Sequence, residues 1–147
     1  MAAVTCAAAG AFAQDVAGEP YNSTYNLEAG FQPDPLVVDV TSGGSIDISN
    51  RMPQCSGYIS DRPDVRLFFD AGSLPLIFSV DSPSDTTLVI NAPDGEWHCD
   101  DDSGDGLNPS VRFNTAQSGR YEIWIGTFSD SEQFNDAKLS ISELTSE

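Results

Sequence analysis

From Leu36 onward the chain alternates apolar and polar positions with a period of two. "LVVDV" sets Leu36, Val38 and Val40 on one face, "SIDIS" sets Ile46 and Ile48 beside an outward Asp47, and "DVRLFFD" sets Val65, Leu67 and Phe69 against Arg66 and Phe68. The pattern recurs in "PLIFSV" (Leu76, Phe78, Val80), "TTLVIN" (Leu88, Ile90), "SVRFN" (Val111, Phe113), "RYEIWIG" (Tyr121, Ile123, Ile125) and "AKLSISE" (Leu139, Ile141). Successive strand residues point to opposite faces, so each run predicts a half-buried strand. Turn residues separate the runs, among them Ser42-Gly43-Gly44, Asp70-Ala71-Gly72, Asp81-Ser82-Pro83, Pro93-Asp94-Gly95 and Gln117-Ser118-Gly119. The first two runs, joined by "TSGG", predict a hairpin. No stripe of helical period exceeds two turns. The expected fold is all-β, an antiparallel two-layer β-sandwich or jelly roll of about eight strands, with a barrel as the alternative closure.

Upstream the pattern changes. Residues 14–35 mix Gly, Pro, Asn and Ser without a sustained period and are expected to form a linker or irregular segment before a sandwich domain at 36–147. Residues 1–13 are small, apolar and uncharged, and Ala11-Phe12-Ala13 has the A-x-A form of a leader cleavage site. A secreted or periplasmic protein is therefore expected, and no stretch reaches the roughly 20 apolar residues of a membrane-spanning helix. If Cys6 leaves with the leader, Cys55 and Cys99 remain and are expected to pair as a disulfide, two free thiols being the alternative.

Charge narrows the choice of partner. Asp and Glu number 23 against 6 Lys and Arg, a formal net charge of −17, so phosphate backbones and anionic lipids are repelled. Nucleic acid is not an expected partner; divalent cations and basic surfaces suit the charge. The acids concentrate in "GEWHCDDDSGDGLNPSV", where Asp100, Asp101, Asp102 and Asp105 crowd together. Such carboxylates either hold their protons more tightly or take a counter-ion, and in an exported protein the hard, oxygen-preferring Ca2+ is the expected one. Asp85 and Asn108 are expected to join the ligand set, with Asp94 in reserve, and a plain solvated turn is the alternative. The run Asp101-x-Ser103-x-Asp105-Gly106 resembles the opening of a helix-loop-helix calcium loop, but Arg112 stands where that loop needs a bidentate Glu.

Catalysis is not expected. His98 is the single histidine and lies five residues before Ser103, and "DDSGD" matches a serine-protease nucleophile loop only superficially, because clustered carboxylates oppose a developing oxyanion. One histidine is also too few for zinc. Trp97, Trp124, Tyr58 and Phe128 could form a stacking platform, but Trp124 alternates with Ile123 and Ile125 and so faces the second side of its strand, where loop packing is expected.

The stretch "DTTLVINAPDGEWHCDDDSGDGLNPSVRF", with "SGRYEIWIGTF" and "AKLSISE" after it, resembles the bacterial pre-peptidase C-terminal domain family. The matching elements are Asp85 and Leu88 at a strand start, the Asp94-Gly95 turn, the Asp100 to Asp102 acidic loop and the late strand Gly119-Arg120-Tyr121-Glu122-Ile123. The resemblance implies a jelly-roll-like sandwich that accompanies secreted peptidases as a non-catalytic module, with calcium bound in some members and insoluble polymers such as collagen bound by related domains. The upstream "CSGYI…PDVRL" stretch is similar to small exported proteobacterial proteins often labelled chymotrypsin-class peptidases. The expectation is a non-catalytic exported binding or accessory module for a protein, polysaccharide or other polymer surface, with Ca2+ as its candidate ligand. A secreted peptidase-associated hydrolase and a structural or adhesive surface protein are the alternatives.

Overall fold

A computed structural model describes residues 15–129 and 133–146; the expected leader and Cys6 lie outside them. Among the described residues eleven strands form: β1 (Ser23–Glu28), β2 (Leu36–Ser42), β3 (Ile46–Asp47), β4 (Tyr58–Ile59), β5 (Val65–Asp70), β6 (Leu76–Asp81), β7 (Thr86–Asn91), β8 (Trp97–Asp100), β9 (Ser110–Phe113), β10 (Gly119–Thr127) and β11 (Asn135–Ser142). They make two sheets that do not close into a barrel. The four-stranded sheet runs β2-β11-β6-β9, and the seven-stranded sheet is built around β10, with β5 and β1 beyond it, β4 and β3 at its far end, and β7 and β8 on its other edge.

The expected sandwich is present, with three departures. Residues 14–35 are not all linker: Ser23–Glu28 pairs with β5 as β1, and that pairing is parallel, so the sheet is not wholly antiparallel. Only Tyr25 and Leu27 of β1 pack on the core, too thin an apolar signal to stand out in a polar sequence. The hairpin expected from "LVVDV" and "SIDIS" does not form, because β2 lies in one sheet and β3 in the other, and Ile48–Asn50 turns into a short 3-10 helix capped by the Asp47 carboxylate. Gly43-Gly44 is a crossing between layers rather than a hairpin turn. A Cβ on Gly44 would sit 1.9 Å from the carbonyl carbon of Ile59, so only glycine lets the two backbones pass.

Between the sheets, most of the predicted period-two positions form one core: Val38 and Val40, Val65, Leu67 and Phe69, Leu76, Phe78 and Val80, Leu88 and Ile90, Tyr121, Ile123 and Ile125, Leu139 and Ile141 are all buried there, whereas Ile46 and Ile48 join a second core. Tyr121 closes it as a corner, its hydroxyl donating to the Gln117 carbonyl at 2.7 Å and accepting the Gln117 N–H at 3.0 Å.

β10 is buried on both faces, and its second face explains the loops. Trp124 and Val89 meet Ile48, Cys55 and Ile59 in a smaller core outside the seven-stranded sheet, roofed by residues 46–59. The Cys55–Cys99 disulfide, with Cα atoms 5.7 Å apart, ties this roof to β8. Beside it Arg66 donates to the buried Glu122 at 2.5 Å and to the carbonyls of Val16 and Gly18, holding the start of the described chain against the sheet. The bridge spans 44 residues of sequence. Replacing both cysteines by Ala is expected to cost about 2 to 4 kcal/mol, read as a lower urea midpoint; an unchanged midpoint would remove the bridge from the stability of the roof.

Candidate functional site

The acidic loop hangs from the end of β8. Leu88 of β7 pairs with Asp100, so Asp85, three residues before Leu88, lies beside the turn that follows Asp100. This register explains why a carboxylate distant in sequence feels the charge of the loop. Burial raises the Asp85 carboxyl above its usual range, and the charges of Asp101 and Asp102 raise it further. Asp101 is raised in the same direction, by burial first and then by Asp102 and Asp100.

Asp100, Asp101 and Asp102 each place one carboxylate oxygen within 4.8 Å of the others. Asp100 is also the turn's organiser: its Oδ2 accepts the Ser103 N–H at 2.8 Å and the Ser110 N–H at 2.9 Å, while its Oδ1 accepts the Ser103 hydroxyl at 2.6 Å. Asn108 serves the loop as well, its Oδ1 accepting the Ser82 N–H at 3.2 Å, and the Asp105 carbonyl accepts the Asn108 N–H at 3.1 Å. The Asp105 carboxylate is not part of the close group. Asp94 sits at the opposite end of β8, where it caps its own turn by accepting the Glu96 N–H at 2.9 Å; that bond first, and Gln117 next, hold its carboxyl below the usual range.

The donor set fits a hard divalent cation in kind. Every side-chain donor is a carboxylate or amide oxygen, as Ca2+ requires, but the three gathered carboxylates fall short of the six to eight oxygens it takes. Backbone carbonyls and water would have to supply the remainder.

The remaining chemistry of the loop is structural. Ser103, the one candidate nucleophile, gives its hydroxyl hydrogen to Asp100. His98 faces the inner core, its ring edge-on to Phe113 at 4.8 Å between centroids. Trp97 is tilted against the fully buried Trp124 at 5.3 Å, so these two indoles pack the outer core and do not form an open stacking surface.

Sequence reading missed Asp64. On one edge of β10, β5 pairs with residues 119–123 and β4 with Thr127, which leaves Ile125 without a strand partner between them. Asp64 fills that gap. Its Oδ2 accepts the Ile125 N–H at 2.8 Å, while the Ile125 carbonyl accepts the Gly43 N–H at 3.0 Å. Burial pushes the Asp64 carboxyl up to about 7. "RPDV" offers no periodic hint of this, since the residue is buried by strands far from it in sequence.

No known protein family matches the sequence, and no curated protein does. Among solved structures, the chain is similar to the pre-peptidase C-terminal domain of a collagenase from Bacillus anthracis, at 14% identity over 85% of this chain and 99% of that one, with a TM-score of 0.49. It is also similar to a periplasmic inhibitor of g-type lysozyme from Aeromonas hydrophila, at 14% identity over 82% of this chain and 97% of that one, with a TM-score of 0.42.

Proposed function

We propose that this chain is an exported, non-catalytic binding module whose acidic rim takes Ca2+ and so stiffens the 97–110 loop for contact with a protein or polysaccharide surface. The observation that carries the reading is the close approach of the Asp100, Asp101 and Asp102 carboxylates, with Asp85, just before β7, near enough for the charges of Asp101 and Asp102 to act on it. Burial first and repulsion second raise Asp85 and Asp101, and a cation there offsets both costs. Asp100 keeps its two turn N–H groups and the Ser103 hydroxyl while offering a remaining lone pair of Oδ1 to the ion, and Asp101 and Asp102 supply the other carboxylate ligands. The disulfide at Cys99 anchors the base of the loop, so the ordering produced by the ion reaches a rigid platform.

Millimolar Ca2+ is expected to raise the melting temperature and EDTA to return it. The pair of substitutions Asp101→Asn and Asp102→Asn is expected to abolish the calcium increment while raising the melting temperature in EDTA, because it removes like charges. A melting temperature indifferent to calcium would refute the metal-binding part of the reading. Peptide turnover lost on Ser103→Ala would refute the non-catalytic part.

A further inference from the structure

A second site lies where the chain crosses between sheets. A cavity of about 500 Å³ opens there, lined by Gly43, Gly44, Ile46, Asp61, Asp64 and Phe134 among others, within the size range of small-molecule sites. Asp64 is only 6% exposed. Its structural task is to accept one backbone N–H, from Ile125. An asparagine oxygen would perform that task without burying a charge, so the carboxylate is more than the fold requires.

Nothing in the wall supplies the missing counter-charge. Among the described residues the cavity lining holds two carboxylates, Asp61 and Asp64, and no lysine or arginine. Arg62, adjacent in sequence, is stacked over the Tyr21 ring at 4.1 Å and its charge acts on Asp61, which leaves Asp64 as the carboxylate without a counter-charge among the described residues. The Asp61 carboxylate accepts the Tyr21 hydroxyl at 2.6 Å, which fixes a second negative group at the cavity wall. Ile46 and the largely exposed Phe134 give an apolar side.

We infer that this cavity binds a small organic ammonium ion, its cationic head on Asp64 and its aliphatic or aromatic body against Ile46 and Phe134. The ammonium restores the charge balance of the buried carboxylate, and contact with a carboxylate largely removed from water is where such a pair gains most. The overall charge of −17 favours the approach of cations over anions. The ammonium can belong to a free amine or to a lysine side chain offered by a partner, and the chemistry recognised is the same.

Benzylamine titrated into the 15N-labelled protein at about pH 8, where the amine is cationic, is the direct probe. Saturable shifts are expected at the amides of Ile125, Gly43, Gly44 and Asp64. Neutral benzyl alcohol is expected to leave them in place, Asp64→Asn to weaken benzylamine at least about tenfold, and Phe134→Ala, a surface change that spares the fold, to weaken it severalfold. Equal effects of amine and alcohol, undiminished binding by Asp64→Asn, or no saturable shift would each overturn the inference. Competition by N-acetyl-lysine methylamide would assign the ammonium to a peptide and its failure to a free amine; both results uphold the site.

Discussion

Replacing Asp64 by Asn is expected to stabilise the protein by about 4 kcal/mol at pH 8 and by little at pH 4. The carboxyl moves from an ordinary value of 3.8 to about 7 on folding, because burial disfavours its charged form. Between those values the unfolded chain has released its proton while the folded protein keeps it, so the unfolding free energy falls as pH rises. The cost is absent below the unfolded value, grows across the window from about 4 to about 7, and is complete above it, where roughly three pKa units correspond to about 4 kcal/mol. Asparagine retains an acceptor for the Ile125 N–H and never ionises. Urea unfolding of both proteins from pH 4 to pH 8 measures the difference, which should open with pH; a difference constant across the range would show that Asp64 is not buried as a lone carboxylate.

Trp124→Ala is the second large effect, expected to cost about 3 to 5 kcal/mol. The indole is fully buried in the outer core, enclosed by Ile48, Cys55, Ile59 and Val89, and the disulfide restrains the roof from collapsing into the space left behind. Trp124→Phe is expected to cost much less, under about 2 kcal/mol, because the buried indole nitrogen has no hydrogen-bond partner among the described residues and so no bond is lost with it. Urea midpoints of the two variants decide this; equal losses would mean that the indole nitrogen, not the volume, holds the site together.

These two residues mark what sequence alone reaches. The inner core was legible because burying one face of a strand leaves a period of two, and Val65, Leu67 and Phe69 or Tyr121, Ile123 and Ile125 state it directly. The outer core was legible only in part: Trp124 between Ile123 and Ile125 signals a strand covered on both sides, but nothing names residues 46–59 as the cover. β8 was missed because "WHCD" alternates between Trp97 and Cys99, which face the outer core, and His98, which meets Phe113, so no single face is apolar. The glycine pair at 43–44 permits a hairpin turn as readily as a crossing, and the difference lies in the distant Ile59 backbone that passes it. For the acidic loop, composition gave the charge and residue type, whereas the coupling of Asp85 to Asp101 and Asp102 depends on the β7-β8 register. Asp64 was invisible because its role is to complete a hydrogen-bond ladder that only the assembled sheet defines.

Amide spectra of the 15N-labelled protein recorded across a calcium titration decide whether the acidic rim takes the ion. Saturable shifts are expected at Asp85 and through residues 97–110, with the amides of the inner core unmoved, and their loss when Asp101 and Asp102 are both changed to Asn. Spectra unchanged up to about 10 mM Ca2+, well above the weakest affinities of extracellular calcium modules, would contradict calcium binding at the rim.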